Sequence, residues 1–288
     1  MTTTQTKTPT ARIETRHEND GVVAPGEAIE NVHVHAPTRG NNKLEKLLAN
    51  ADADPQLKAW WLVAGTNATR RLGMSDHGWV HIQVVTNIAL RILRLLAKQG
   101  VEPSIKQDLG MRSRDAEVVV AAAAMLHDTG MTIHRKNHEE YSLFLAAQKL
   151  PELLDGIYDE PERSVVAAEV LHAIIGHRAG GNPLTVEAGV VRVADALDMA
   201  AGRSRVPFEA GQKNIHALSA AAIDGVSIQA GEDKPVRIEI AMNNSAGIFQ
   251  IDELLANKLK GSGIEQYVEV AARVDREHEA RLLPDVTF

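Results

Sequence analysis

The chain has 288 residues, 31 Lys+Arg against 38 Asp+Glu for a net charge of −7, 12 histidines and no cysteine. The absence of thiols excludes a disulfide framework, thiolate metal ligation and a cysteine nucleophile, and the acidic balance excludes a protein that coats nucleic acid through a broad basic face. Hydrophobic content is 44% but aromatics are only 3%, so the core must be mostly Ala, Val, Leu and Ile, in a length that suits one or two domains.

Residues 1–41, rich in Thr, Pro, Gly and charge, read as a flexible tail. The first twenty show no apolar stretch of the signal-peptide kind, and no apolar run reaches the length of a membrane span, so a cytoplasmic protein is expected. Val32 to His35 alternates and could form a short strand. From Asn42 to about Arg71 the pattern turns helical, with a second start at Pro55. A long helix is expected from about Ser75 to Lys98, with Ser75 or Asp76 as N-cap and Val80, Val84, Ile88, Ile92 and Leu95 as its apolar stripe. An Ala/Val-rich helix follows and ends near His127. Three more helices read from NHEEYSLFLAAQKL, PERSVVAAEVLHAII and LTVEAGVVRVADALDMAAG, the last stopped by Gly202. Short connections make the region 42–222 an all-α bundle.

The pattern then changes. VSIQAG and KPVRIEIAM alternate around a Gly-Glu-Asp turn and read as a hairpin from about Val226 to Met242; IDELLANKLKG reads as a helix and YVEVAARV as a third strand. The fold class is therefore mainly α, with a small C-terminal α+β unit over 223–288. KPVRIEIAM is expected to be an open edge strand, which invites pairing between chains and hence a homo-oligomer.

His and Asp gather at or near the ends of five of the helices. Asp76, His77 and His81 open the long one, where the i, i+4 spacing puts His77 and His81 on one face. His127 and Asp128 close the Ala/Val helix. His134 and His138 precede the next, His172 and His177 fall late in the one after, and Asp195 and Asp198 lie in the last. One histidine on an Ala/Val helix is ordinarily a hydrogen-bonded core residue. An adjacent His-Asp at the end of VVVAAAAML is different, because burying both groups without a partner is costly and a cation supplies that partner. Imidazole and carboxylate together suit Zn, Fe, Mn or Co.

The order His81, His127-Asp128, Asp195 resembles the HD-domain metal-dependent phosphohydrolase superfamily, whose motif is His…His-Asp…Asp on successive helices of an α-bundle. Leu126 to Gly130 and Ala194 to Asp198 fit the surrounding words, and the likeness runs from about Asn42 to Gly202. The resemblance implies an HD-type catalytic bundle over 42–222 in which His81, His127, Asp128 and Asp195 hold a metal. As in binuclear members, His138 and His177 would hold a second, with Asp128 bridging. His77 is expected to support a ligand or touch substrate, His134 to lie in a nearby loop or support a ligand, and His172 to support a ligand or, if its helix continues, to face elsewhere.

Two divalent ions carry about +4 against about −2 from Asp128 and Asp195, so a positive field is left for a phosphoryl oxygen. A metal-bound hydroxide is available near neutral pH and needs no side-chain nucleophile. Asp128 would orient it. Arg178, directly after His177, and Arg203 and Arg205, just past the Asp195 helix, are placed to clamp phosphate, or equally to satisfy helix C-termini. The position after Gly130, where the family often carries lysine, is Met131, with Arg135 and Lys136 beyond it. Trp79 is read as core or pocket wall. The expected activity is hydrolysis of a phosphate ester or anhydride of a nucleotide or another small phosphorylated molecule, with no membrane partner. The same ligand order occurs in di-iron O2-dependent oxygenases of this fold, and a non-catalytic sensor or interaction protein stays open as a third reading.

Overall fold

The most apolar stretch of the sequence becomes the axis of the fold. A computed structural model describes residues 24–199, 219 and 222–274. Its main helices are α1 (Pro25–Glu30), α2 (Asn42–Asp52), α3 (Pro55–Thr66), α4 (Trp79–Lys98), α5 (Ser104–Gln107), α6 (Ser113–Leu126), α7 (His138–Leu153), α8 (Glu162–Gly176) and α9 (Val186–Leu197). Strands β1 (Ile223–Ala230), β2 (Val236–Met242) and β3 (Val268–Val274) follow. The molecule is mainly α with a small sheet at its C-terminal end.

Helix α6 is apolar on every side, and a helix of that kind has to be buried on every side. Every residue from Val118 to Leu126 has 0% exposure, and α2, α4, α5, α7, α8 and α9 all pack on it. Its four consecutive alanines, Ala121–Ala124, let neighbouring backbones come close. Both ends of α6 are tied. Asp115 accepts from the Arg112 N–H (2.9 Å), from Lys43 Nζ (2.8 Å) and from the Tyr158 hydroxyl (2.8 Å). At the other end Trp61 Nε1 donates to the Met125 carbonyl (2.8 Å), one of the acceptors a helix C-terminus leaves open. The surrounding helices start on expected chemistry: Asn41, Asp54 and Thr185 each cap a helix N-terminus with a side-chain oxygen.

Several boundaries depart from the sequence expectation. Helix α4 starts at Trp79, not Ser75: the Asp76 carboxylate accepts from the Gly78 N–H (2.8 Å), and this local turn delays the helix. His77 therefore precedes the helix and does not share a helical face with His81. The buried stripe of α4 is also rotated from the expected one, to His81, Val85, Ala89, Ile92 and Leu96, while Val80 is 49% exposed. With 20 residues and a mean hydropathy of 1.4, α4 is long and apolar enough to cross a membrane, contrary to expectation, although half of its apolar window is buried in the molecule. Helix α9 ends at Leu197 rather than near Gly202. Residues 24–41, expected as part of a tail, carry α1 and bury Val32 and Val34 in the core. The Val32–His35 stretch belongs to no strand.

The sheet order is β1-β2-β3. Strands β1 and β2 form the expected hairpin, paired antiparallel from Ile223↔Met242 to Ala230↔Val236, so β1 begins three residues before the expected Val226. Strand β3 pairs parallel to β2, from Val236↔Val268 to Met242↔Val274. Strand β2 is thus the central strand and not an open edge, and the argument for oligomerisation from an exposed KPVRIEIAM ladder falls away. A parallel pair needs a long crossover. Here it is a helical run of Ile248–Gln250, a wider π-helical Ile251–Ala256 and Asn257–Leu259, where one regular helix was expected. The crossover packs on α9, and β1 and β2 pack on α4.

Candidate metal site

The C-terminus of α6 opens into the middle of the bundle, and there His127 and Asp128 meet side chains from four other elements. His127 is 0% and Asp128 3% exposed. His81 comes from the first turn of α4, His138 from the first turn of α7, His177 from the C-cap of α8, and Asp195 from the last turn of α9. One glycine sets the approach of α7. A Cβ on Gly130 would lie 2.0 Å from the His138 carbonyl oxygen and 2.6 Å from the Ser142 nitrogen. The Ser142 hydroxyl accepts from the Gly130 N–H (2.8 Å) and donates to the His127 carbonyl (2.6 Å), which stitches the His-Asp turn to α7.

Four imidazoles point the same way. Nδ1 of His127 donates to the Ala124 carbonyl (2.8 Å), that of His177 to the Ile174 carbonyl (2.5 Å), and that of His81 to Asp198 Oδ2 (2.6 Å). Those acceptors fix the proton on Nδ1 and leave the Nε2 lone pairs facing inward. Nε2 of His81 and Nε2 of His127 face each other at 3.2 Å. His138 Nδ1 lies 3.1 Å from the Arg135 carbonyl and 3.0 Å from Glu139 Oε2.

The Asp128 carboxylate lies between two groups of these nitrogens. Its Oδ2 is 3.3 Å from His81 Nε2 and 3.4 Å from His127 Nε2; its Oδ1 is 3.2 Å from His138 Nε2 and 4.0 Å from His177 Nε2. Asp195 Oδ1 joins the first group, 3.3 Å from His81 Nε2 and 3.8 Å from His127 Nε2. Asp128 Oδ2 is buried and takes part in no hydrogen bond. Donor atoms sharing an ion at ~2.1 Å lie ~3.0–3.4 Å apart, which is the spacing most of these atoms already have. Facing lone pairs and an orphaned carboxylate oxygen are what a cation would satisfy, so the residues fit a divalent metal. The sets His81–His127–Asp195, His127–Asp128–His177 and His138–Glu139–His177 each bring three ligand atoms within 4.8 Å of one another.

The electrostatics follow from burial opposed by close opposite charge. Burial pushes the Asp128 and Asp195 carboxyls up, but His127 beside the first and Lys258 beside the second hold both well below the usual carboxylate range. Burial pulls His138 down, yet its bonds to Asp128 and Glu139 raise it to about 9; Glu139 is correspondingly lowered to about 2. His177 goes the other way. Burial, Lys258 and His127 push it to about 3, so it presents a neutral imidazole.

The remaining expected residues divide. His77 is 8% exposed and sits at the site, its ring 5.7 Å from that of His81 and 6.4 Å from that of His138. His134 is exposed, and its Nδ1 accepts from the Lys136 N–H (3.0 Å). His172 accepts from the Leu184 N–H (2.9 Å) and lines an apolar groove with Leu143, Phe144 and Ile175, away from the cluster. Arg178 is exposed and pairs with Glu140 at 2.8 Å. Trp79 packs against the core, half-buried. Arg203 and Arg205 lie outside the described residues. Sequence reasoning missed Glu139 and Lys258 and gave Asp198 no role. The His-Glu pair at 138–139 was a legible signal; nothing local marked Lys258.

The chain belongs to the HD-domain family. The family model matches residues 80–200, a span that contains His81, His127, Asp128, His138, His177 and Asp195. Members of the family are, as a class, metal-dependent hydrolases. The chain is also 42% identical over 233 residues to the uncharacterized protein MJ1020 of Methanocaldococcus jannaschii, an alignment covering 81% of this chain and 88% of that one.

Proposed function

We propose that the protein is a metal-dependent phosphohydrolase or phosphodiesterase that hydrolyses a phosphate ester or anhydride of a nucleotide or another small phosphorylated molecule, with two divalent ions drawn from Mn, Fe, Co or Zn. The observation that carries this reading is the Asp128 carboxylate, whose two oxygens face two separate imidazole groups. His81, His127, Asp128 and Asp195 would hold one ion; Asp128, His138 and His177 would hold the other, with Glu139 beside it. Such a pair of ions, when bound, activates water near neutral pH and offsets charge that builds on a phosphoryl group in flight.

The chain's own residues do the rest. Asp198 and the carbonyls of Ala124 and Ile174 hold three imidazoles in the inward tautomer. Asp128 and Asp195 set the charge of the pocket. Burial of the cluster, with His81 at 1% and Asp128 at 3% exposure, keeps bulk water away and strengthens each of these interactions. Arg178, on the surface beside His177, binds a substrate phosphate by exchanging its Glu140 partner, and Arg203 and Arg205 are further candidates for that task.

A metal inventory of protein purified without oxygen, followed by a phosphate-release screen over nucleotides and cyclic dinucleotides, tests the reading. Two ions per chain and phosphate release under anaerobic conditions are expected. Turnover that requires O2 and releases no phosphate would replace hydrolysis with di-iron oxygenation.

A further inference from the structure

The crossover between β2 and β3 sends one side chain into the site from beyond the span of the family match, which ends at residue 200. Lys258 Nζ donates to Asp195 Oδ2 (2.6 Å) and to the His177 carbonyl (2.7 Å). Asp195 belongs to one imidazole group and His177 to the other, so a single ammonium joins the two halves of the cluster. The pair is largely withdrawn from solvent, with Lys258 at 18% and Asp195 at 15% side-chain exposure. Solvent screening and side-chain freedom, which make most surface pairs nearly worthless, are both reduced here.

The backbone that carries Lys258 is itself fixed from α9. Arg192, one helical turn before Asp195, is 2% exposed. It donates to the Lys258 carbonyl (2.7 Å), the Asn257 carbonyl (3.1 Å) and the Arg178 carbonyl (2.5 Å). Its planar fork thus ties the end of the crossover helix and the chain after α8 to the helix that bears Asp195. The consequence for Asp195 is directional. With Oδ2 occupied by Lys258, Oδ1 is the oxygen left facing His81 and His127, at 3.3 and 3.8 Å.

We infer that Lys258 is a positioning residue that presents Asp195 to the metal site through one chosen oxygen, and that the C-terminal unit is by this contact a working part of the site. The inference rests on the two-ion reading above. It acts through orientation: an ammonium near a cation repels it, so if charge alone mattered, removing Lys258 would tighten metal binding. Loss of a partner that orients a ligand typically weakens affinity by about 10–100-fold.

The test is a double-mutant cycle on the full-length chain, read as Mn2+ affinity by chelator competition. Lys258→Met is expected to weaken Mn2+ binding by about tenfold, and Lys258→Arg, which keeps charge and donors, to recover most of the loss. In an Asp195→Asn background Lys258→Met is expected to add no further loss, because its effect passes through Asp195. Unchanged or tighter binding in Lys258→Met overturns the inference. So does an equal further loss in the Asp195→Asn background, which would make Lys258 a general strut. If Lys258→Met does not fold, Lys258→Gln takes its place in the cycle. If the unaltered chain does not bind Mn2+, the cycle is read with Fe2+, Co2+ or Zn2+; an unaltered chain that binds none of the four overturns the two-ion reading and this inference with it, a result distinct from a chain that binds one of them with no dependence on Lys258.

Discussion

The Asp128 side chain has two oxygens with different neighbours, and the site's chemistry is divided between them. Asp128→Ala is therefore expected to abolish phosphate release and to lower bound metal; full activity in that variant would refute the mechanism. The histidines should be separable. His81→Ala and His138→Ala are each expected to reduce metal content from two ions to one, read by elemental analysis, because their Nε2 atoms face different oxygens of Asp128. A His138→Ala protein that retains both ions would contradict the grouping. Arg178 touches no metal-facing group, so Arg178→Ala should raise KM and leave kcat nearly unchanged. At this scale the sequence was most informative where two chemical groups sat side by side. His127-Asp128 at the end of an apolar helix announced itself. Lys258 did not, because a lysine in a polar crossover looks the same whether it faces water or a buried carboxylate.

Helix ends, more than helix middles, set the geometry. The turn after α6 fits against α7 only because residue 130 has no side chain. Gly130→Ala should cost about 1–3 kcal/mol through backbone displacement and should weaken Mn2+ binding as His138 moves, a pairing of effects that thermal melting and chelator competition can check together. The other end of α6 is anchored by Asp115. Burial pushes that carboxyl up, but Lys43, the Arg112 N–H and the Tyr158 hydroxyl outweigh it and leave it below its ordinary value. A carboxylate with a lowered folded-state pKa adds stability above its unfolded pKa of about 4 and loses it as pH falls through the folded value. Asp115→Asn should thus cost about 2 kcal/mol near neutral pH, with the gap to the unaltered chain closing below pH ~4 in urea titrations. Helices α1 and α5 were not read from the sequence, while the order of α2, α3, α4 and α6 to α9 followed from apolar periodicity and a Pro start. The start of α4 did not, because Asp76 turned its carboxylate to Gly78 and made a local turn in place of a helix cap.

Across the whole molecule the helices and the sheet share one contiguous buried core, which runs from Val32 through α6 to Ile238 and Val268. Ile238→Ala, distant from the cluster, should cost about 2–5 kcal/mol in a single transition seen alike by circular dichroism and tryptophan fluorescence. Two separated transitions would mean that the sheet unfolds on its own. The parallel β2–β3 pair is what brings the two parts together chemically: it obliges the chain to cross over α9, and the crossover delivers Lys258 to Asp195.

Resemblance to the HD family singled out His81 and Asp195, while the amino-acid order by itself determined, with no coordinates, that this is a helical protein with a small sheet, that the adjacent His127 and Asp128 are residues to watch, and that the chemistry needs no thiol. It could do so because hydrophobic period and adjacent ligand types are local properties of a chain. Tertiary structure alone decided that β2 is central, that each oxygen of Asp128 meets its own imidazoles, and that a lysine sixty-three residues past Asp195 orients it. Those facts depend on which surfaces come within a few ångströms in space, and no local pattern of residues encodes such a distance.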